Sequence, residues 1–278
     1  MEFRSPNAED RYAALVSVAA KSVVGLDFDG TLSPIVEDPE EAHIHPDAGA
    51  ALADLADVVA AVAVITGRPA RQALALGGLD EVGNSIGEAG KELHLFGQYG
   101  FERWSSTNRR IVSPRPPHGL STFLGRLPGM LRRHDAAEAF VEDKGLAVAV
   151  HTRRLVDPAG AFDRLLPALT DLAEENELMV EPGRQVIEVR APGMDKGQVV
   201  RTLVEETSAG GFVFAGDDLG DLEAFEAVAA LRDEGMPTLL VCSLSSEESA
   251  LLELADVSVR GPEGVLDFLR QLTRDARG

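Results

Sequence analysis

Cysteine is nearly absent from this sequence, since Cys242 is the single one among 278 residues. One cysteine cannot form an intrachain disulfide bond and cannot supply a cysteine-based metal site. The apolar residues Leu239 to Val241 before it predict a strand, and no histidine or cation stands nearby to lower its pKa. We therefore expect Cys242 to be a small buried hydrophobic residue and not a catalytic thiol.

Basic residues are also scarce. The chain has 26 Lys and Arg residues against 46 Asp and Glu residues, which gives a formal net charge of −20. Such a chain repels phosphate backbones and anionic headgroups, which argues against nucleic acid and membrane surfaces as partners. A small anionic substrate is still compatible with this charge where a metal ion or local cations override it. The sequence points to no obligatory protein partner.

Long hydrophobic runs are missing as well. No apolar run approaches the roughly 20 residues that cross a bilayer, and residues 1–21 lack the basic-then-apolar order of a signal peptide. These absences predict a cytoplasmic protein. Apolar residues make up 45% and charged residues 26%, which is typical of a globular chain with one large or two smaller domains.

Short apolar runs that end in polar turns stand on both sides of a different middle segment. They cover residues 22–27 and 59–65 before it and residues 211–215 after it, and we expect further short strands at residues 93–96 and near Ile86. Segments rich in Pro and Gly at 113–119 and 191–193 predict linkers. The fold predicted is α/β: a doubly wound, parallel, Rossmann-like core of residues 1–113 and 192–278, interrupted by an α+β cap of residues 114–191.

Three of the predicted strand ends collect polar side chains. In an open parallel sheet, ligands bind just beyond the carboxyl ends of the strands, so these groups should meet. Several carboxylates in one pocket cannot all remain charged without a counterion, which predicts a divalent cation. A set of oxygen donors without Cys or His favours Mg²⁺. The three groups are Asp27, Asp29 and Thr31; Thr66 and Arg68; and Asp217, Asp218 and Asp221.

The first group has the chemistry of phosphoryl transfer. Asp27 and Asp29 are two residues apart, so one carboxylate can attack phosphorus while the other protonates the leaving oxygen and later activates water. Gly30 lets backbone N–H groups approach the phosphoryl oxygens. The alternative for this pair is an acidic turn with no catalytic role.

The other two groups and one lysine fit the same reaction. Thr66 and the neighbouring Gly67 offer a hydroxyl and backbone N–H groups to a phosphate, although Thr66 could equally cap the helix that follows. Lys196 begins a predicted helix, where its charge opposes the helix dipole, so it either neutralises phosphate or is simply solvated. Either Asp217 or Asp218 should ligate the metal, and Asp221 should hold Lys196 or a metal-bound water; the alternative is a solvated acidic turn.

The four motifs together resemble those of the haloacid dehalogenase superfamily. They are, in order, Asp27-x-Asp29-Gly30-Thr31, Thr66, Lys196 and Gly216-Asp217-Asp218-x-x-Asp221. The acid at the second position of the first motif implies a phosphatase or a phosphomutase. The place of the insert, between Thr66 and Lys196, implies a cap of the C2 type.

More specifically, the chain is similar to the trehalose-6-phosphate phosphatase family along nearly its whole length. The resemblance implies that Glu142, Lys144, Arg184 and Glu188 grip the sugar hydroxyls; for each of them, a surface charge on a strand is the alternative. The family often has a histidine where this chain has Tyr99, which makes Gln98, Tyr99 and Gly100 the candidates for that contact. The matching stretches include Leu26 to Ile35, Val64 to Arg68, Glu142 to Gly145, His151-x-Arg153, Glu181-x-Gly183-Arg184, Glu188 to Arg190 and Asp195 to Gly197.

The reaction implied is the Mg²⁺-dependent hydrolysis of trehalose 6-phosphate. Asp27 would form an aspartyl-phosphate, Asp29 would act as general acid and then base, and Thr66 and Lys196 would hold the phosphate. Mg²⁺ would be bound by Asp27, the backbone carbonyl of Asp29, and Asp217 or Asp218, with Arg68, His151, Arg153 and Asp221 in support. The alternatives are a phosphatase of another sugar phosphate such as sucrose phosphate, a hexose phosphomutase, or a non-catalytic receiver-like module that binds Mg²⁺ or a partner.

Overall fold

The computed structural model describes residues 1–36, 38–183, 185–244 and 250–278. The chain forms two compact units. The core unit comprises Met1–Ser113 and Asp195–Gly278, and the inserted unit comprises Pro114–Met194. The second boundary therefore lies slightly later in the chain than the 191/192 boundary expected from the glycine and proline there.

The described part of the chain contains both strands and helices in alternation. The strands are β1 (Glu2–Phe3), β2 (Ser22–Leu26), β3 (Ala61–Ile65), β4 (Leu93–Gly97), β5 (Glu102–Ser105), β6 (Phe140–Asp143), β7 (Ala147–His151), β8 (Met179–Gly183), β9 (Val186–Arg190), β10 (Gly211–Gly216), β11 (Thr238–Leu244) and β12 (Val257–Arg260). The α-helices are α1 (Ala8–Ser17), α2 (Ala48–Ala56), α3 (Ala70–Gly77), α4 (Leu79–Glu88), α5 (His118–Arg133), α6 (Pro158–Glu174), α7 (Lys196–Thr207), α8 (Leu222–Asp233) and α9 (Gly261–Arg277). Among the residues described, no helix is both long enough and apolar enough to cross a membrane.

The core unit is built on one sheet with the strand order β1-β12-β11-β10-β2-β3-β4-β5. Pairing is parallel from β12 to β4, and the outer strands β1 and β5 pair antiparallel. The central strands are apolar runs buried along their whole length, as strands covered by helices on both faces must be. The predicted α/β class and doubly wound parallel core are thus confirmed.

Alternating residues of the central strands face two different helix layers. Val213 belongs to the same apolar cluster as Leu52 of α2 and Leu269 of α9. The next residue, Phe214, makes an edge-to-face contact with Phe225 of α8, with ring centroids 5.9 Å apart. This two-residue period is what burial on both sheet faces requires.

The strand expected near Ile86 is wrong, because this residue lies in helix α4. Leu79, Val82 and Ile86 are the buried apolar residues of that helix. Their spacing of three and four places them on one helical face. The apolar face packs in the core cluster with residues of α2 and β4.

The inserted unit has an antiparallel sheet of its own, with the order β6-β7-β9-β8. Val148 and Val150 of β7 pack with Phe123 of α5 and with Leu165 and Leu169 of α6. Ile187 and Val189 of β9 belong to the same cluster. One face of the sheet is therefore covered by the two helices, which is the α+β architecture predicted for the cap.

Candidate active site

The polar groups of the core unit follow three neighbouring parallel strands. Asp27 comes directly after β2, Thr66 after β3 and Asp217 after β10, and the sheet order is β10-β2-β3. Because the carboxyl ends of parallel strands lie at one edge of the sheet, the three residues are brought together. All three side chains are buried.

A cluster of buried carboxylates forms at this edge. One ligand atom from each of Asp27, Asp217 and Asp221 lies within 4.8 Å of the others. Lys196 Nζ donates to Asp27 Oδ1 at 2.5 Å and to Asp221 Oδ1 at 2.6 Å. Asp221 Oδ2 accepts the backbone N–H of Asp217 at 3.0 Å. Lys196 thus binds two of the three carboxylates, and repulsion between the acids remains within the cluster.

Burial has a strong effect on these acids. It raises the pKa of Asp217 to about 9, helped by repulsion from Asp27 and the neighbouring acids. Burial also raises the pKa of Asp27 well above its ordinary value, with Asp221 adding to the effect. For Lys196, burial alone would lower the pKa, but attraction to Asp221 and Asp27 outweighs it and the pKa is raised. A group of oxygen donors that repel one another fits Mg²⁺.

Gly30 occupies a tight space in the turn after β2. Its φ of +71° favours glycine, and a Cβ atom there would lie 2.0 Å from Asp217 Oδ2. Its N–H donates to the carbonyl of Ser33 at 2.7 Å, so it is engaged within the turn. The neighbouring N–H groups of Asp29 and Thr31 find no acceptor in the described residues. The N–H groups of Asp29 and Thr31, and not that of Gly30, are therefore the candidates in this turn for the predicted contact with phosphate.

Ser243 is a residue of this region that the sequence did not reveal. It is fully buried near the end of β11, and its Oγ donates to the carbonyl of Gly30 at 2.6 Å. Ser243 thus holds the backbone of Gly30 from a neighbouring part of the sheet. Its one signal in the sequence is a hydroxyl residue that follows the apolar residues of β11, in addition to the three strand ends that were predicted to carry polar groups.

Asp29 is held apart from the carboxylate cluster by an arginine. Arg68 Nε and Nη2 donate to the two oxygens of Asp29, each at 2.7 Å. The same guanidinium donates to the carbonyl of Pro39 at 2.8 Å and lies 5.6 Å from the ring centroid of Phe28. A bidentate pair of this kind fixes the orientation of the carboxylate. The Asp29 side chain nevertheless stays 40% exposed.

The loop after β3 packs against the turn that follows β4. The Thr66 hydroxyl accepts the N–H of Arg68 at 3.1 Å, and Pro69, not Thr66, occupies the N-cap position of α3. The ring of Tyr99 covers Gly67, where a Cβ atom would lie 2.8 Å from the ring. Gln98 and Gly100 are buried on either side of Tyr99.

Glu102 is a second residue that the sequence interpretation left without a role. Its carboxylate accepts the N–H of Ala70 at 2.6 Å, which caps the start of α3. A carboxylate at this end of a helix also interacts favourably with the helix dipole. Glu102 therefore fixes the helix that follows the Thr66 loop.

Asp218 lies outside the carboxylate cluster. Its side chain accepts the N–H of Gly220 at 2.9 Å and caps the short turn after β10, and the residue is exposed. Asp221, which was expected to support the site, is the acid that lies beside Asp27 and Asp217.

On the inserted unit, the predicted sugar contacts lie on the sheet face opposite α5 and α6. Glu142 Oε2 is 2.9 Å from His151 Nε2, and Lys144 Nζ donates to Glu188 Oε2 at 2.6 Å. The other oxygen of Glu188 is buried and has no hydrogen-bond partner in the described part of the chain. Arg153 is exposed just after β7. Arg184 falls outside the described residues.

A further ion pair lies on the same face. Arg190 Nη2 donates to Glu181 Oε2 at 3.0 Å, and Arg190 Nη1 donates to the carbonyl of Met194 at 2.5 Å. Both side chains belong to stretches that carry the family resemblance, but the sequence pattern predicts no role for either of them. Their contacts join β8, β9 and the segment that ends this unit.

Comparison with known proteins identifies the family. The sequence profile described as trehalose-phosphatase matches residues 25–258. The chain belongs to the trehalose-phosphatase family. This membership confirms the resemblance on which the motifs were interpreted.

Individual relatives agree with this assignment. The chain is 32% identical over 236 residues to the trehalose-phosphate phosphatase of Mycobacterium avium, covering 78% of this chain and 54% of that protein. It is 33% identical over 283 residues to "Uncharacterized glycosyl hydrolase MT2062" of Mycobacterium tuberculosis, covering 97% of this chain but 20% of that protein. The chain thus spans about half of the first relative and a fifth of the second.

A solved structure supports the fold. The C-terminal domain of the trehalose-6-phosphate phosphatase of C. albicans superposes with a TM-score of 0.77 at 19% identity, covering 98% of each chain. The chain thus has the haloacid dehalogenase fold, a doubly wound core with an inserted α+β unit, as predicted.

Proposed function

We propose that this trehalose-phosphatase chain is a Mg²⁺-dependent phosphatase that hydrolyses trehalose 6-phosphate to trehalose and phosphate through an aspartyl-phosphate. The observation that carries this proposal is the buried cluster of Asp27, Asp217 and Asp221 with Lys196 at one sheet edge. Family membership supports the substrate. The cytoplasmic location stays a prediction from the sequence.

In the proposed reaction, Asp27 is the nucleophile. Lys196 holds Oδ1 of Asp27 at 2.5 Å, which orients the carboxylate and leaves its other oxygen to attack phosphorus in line. Asp221 holds Lys196 from the other side at 2.6 Å. Asp27, Asp217 and the backbone carbonyl of Asp29 would hold Mg²⁺, which would supply positive charge to the phosphoryl oxygens.

Asp29 is the proposed general acid and base. It gives its proton to the leaving sugar oxygen as the bond between phosphorus and that oxygen breaks. It then takes a proton from the water that attacks the aspartyl-phosphate, which releases phosphate and restores Asp27. The partial exposure of its side chain is compatible with a carboxylate that exchanges its arginine partner for the substrate.

Phosphate has several donors at this sheet edge. They are the hydroxyl of Thr66, the ammonium of Lys196 and the backbone N–H groups of Asp29, Thr31 and Gly67. None of these three N–H groups donates to an acceptor within the described residues. On the inserted unit, Glu142, Lys144 and Glu188, with Arg184 from the sequence, are the proposed contacts to the sugar hydroxyls.

The test compares phosphate release from trehalose 6-phosphate, sucrose 6-phosphate and glucose 6-phosphate under identical conditions. Asp27→Asn should lower kcat at least a thousandfold, because the amide cannot replace the nucleophile. Asp80→Asn, which changes an exposed acid of α4, is the matched control and should retain activity. Near-normal turnover by Asp27→Asn would refute the mechanism. Interconversion of hexose phosphate isomers without phosphate release would instead identify a mutase.

A further inference from the structure

The inserted unit carries an aromatic side chain on the same sheet face as the proposed sugar contacts. Val141 packs against the apolar cluster of α5 and α6. Because side chains alternate along a strand, Phe140 and Glu142 project from the opposite face. We call this the open face; it carries Phe140, Glu142, His151 and Glu181, which are partly or fully exposed, and Glu188 and Arg190, which are buried.

Phe140 is 49% exposed. A single exposed apolar residue needs no special explanation, but this ring is held in place by two neighbours. Its centroid lies 5.4 Å from that of His151, its cross-strand partner, at an interplanar angle of 40°. The guanidinium of Arg154 lies 5.5 Å from the same centroid. The ring is therefore oriented by its surroundings, while half of its surface stays accessible.

The aromatic pair is connected to the proposed sugar contacts. His151 Nε2 is 2.9 Å from Glu142 Oε2. Lys144, one residue beyond the end of β6, donates to Glu188 of β9 at 2.6 Å. Phe140 and Lys144 are four residues apart, which corresponds to about 13 Å along an extended strand. The open face thus presents an aromatic end and a charged end over a length that suits two linked sugar rings.

We propose that Phe140, with His151 beside it, is an aromatic platform for a pyranose ring and determines specificity for glycosyl phosphates. A pyranose has an apolar C–H face and a rim of hydroxyl groups. The aromatic ring covers the C–H face, while the Glu142 carboxylate accepts from the hydroxyls. This inference rests on the proposed function, since it extends the sugar contacts of the same reaction.

The kinetic test compares Phe140→Ala with the parent on trehalose 6-phosphate and on p-nitrophenyl phosphate, which has no sugar. Loss of one aromatic contact should raise KM for trehalose 6-phosphate about three- to tenfold, with little change in kcat. For p-nitrophenyl phosphate, neither KM nor kcat should change in Phe140→Ala. The separate variant Phe140→Trp keeps an aromatic ring at this position and should have the parent KM for trehalose 6-phosphate. Val156→Ala removes another exposed apolar side chain of this unit and should change nothing.

A second measurement is independent of turnover. The parent's single tryptophan, Trp104, is buried in the core unit, so Phe140→Trp adds an exposed reporter on the open face. Its emission should shift on titration with trehalose and not with glycerol, while the parent shows no shift. An unchanged KM for Phe140→Ala, or an emission of Phe140→Trp that ignores trehalose, would overturn the platform.

The two proposals can fail separately. If the parent hydrolyses p-nitrophenyl phosphate but not trehalose 6-phosphate, the proposed substrate is wrong. The fluorescence emission of Phe140→Trp then still tests whether this position contacts a sugar ring. Sucrose and maltose are titrated in addition to trehalose. A shift in emission with any of these disaccharides supports the proposed aromatic platform, and an unchanged emission with all of them refutes it.

Discussion

Binding of Mg²⁺ should release a proton from the carboxylate cluster. Burial and the neighbouring acids raise the pKa of Asp217 to about 9 in the metal-free protein. Because pH 7 is about two units below this pKa, the Asp217 carboxyl group is ionised in only about one molecule in a hundred at pH 7. A divalent cation needs the carboxylate form, so its binding must expel the proton.

The size of the effect follows from the same shift. Ionising Asp217 at pH 7 costs about 3 kcal/mol, since each pKa unit corresponds to about 1.4 kcal/mol. The apparent Kd for Mg²⁺ should therefore fall about tenfold for each pH unit between 7 and 9. Because the acids interact, the released proton belongs to the cluster as a whole, and Asp217→Asn should remove most of the pH dependence.

The assay is isothermal titration calorimetry at pH 7 in two buffers with different ionisation enthalpies. The difference in measured heat should correspond to about one proton released per Mg²⁺ bound. Asp80→Asn, the exposed control, should release the same number. A proton count of zero, with a Kd for Mg²⁺ that is constant from pH 6 to 8, would refute the reasoning.

The stability of the metal-free protein should follow the same titration. A folded-state pKa of about 9, against 3.8 for the ordinary group, means that the folded state binds more protons than the unfolded state between these values. The free energy of unfolding should therefore decrease as pH rises through this window, by at most about 1.4 kcal/mol per unit for this group. Denaturant titrations at pH 5 and pH 8 measure the decrease, and saturating Mg²⁺ should reduce it.

Three substitutions test contacts around the site. Gly30→Ala should lower Tm and reduce kcat at least tenfold, because φ is +71° and the added Cβ would lie 2.0 Å from Asp217 Oδ2. Ser243→Ala leaves the buried Gly30 carbonyl without its donor at 2.6 Å, which should cost about 1–3 kcal/mol in urea unfolding, while Ser243→Thr retains the hydroxyl. Glu102→Gln weakens the cap on Ala70 at 2.6 Å and should cost about 1 kcal/mol; an unchanged unfolding midpoint would contradict that role.

The sheet and the edge that carries the buried acids were predictable because their signals are local. Apolar runs buried on both faces marked β2, β3 and β10, and the acids after them marked the edge. The short strand β5 escaped detection because Trp104 is its one fully buried side chain and its pattern is weak. Ile86 was assigned to a strand because a short apolar segment is typical of both a strand and a buried helix. The spacing of Leu79, Val82 and Ile86 by three and four residues is the signal for a helix.

The missed contacts have a different cause. Ser243 and Glu102 each act through one polar atom on a backbone group that is distant in the chain, namely the Gly30 carbonyl and the Ala70 N–H. Nothing in the spacing of the sequence connects such pairs. Asp221 was expected to support the site, but its position inside the carboxylate cluster depends on how the turn after β10 folds.

The pairing of β2 with β10 also bears on how the chain acquires its activity during synthesis. These adjacent strands, Ser22–Leu26 and Gly211–Gly216, come from opposite ends of the sequence, whereas the inserted unit is one continuous segment. Closing so large a loop is slow, and contiguous domains fold first on the ribosome. A nascent chain that has emerged only as far as the inserted unit contains the proposed nucleophile, Asp27, but neither Lys196 nor Asp217, so the carboxylate cluster can form only late in synthesis.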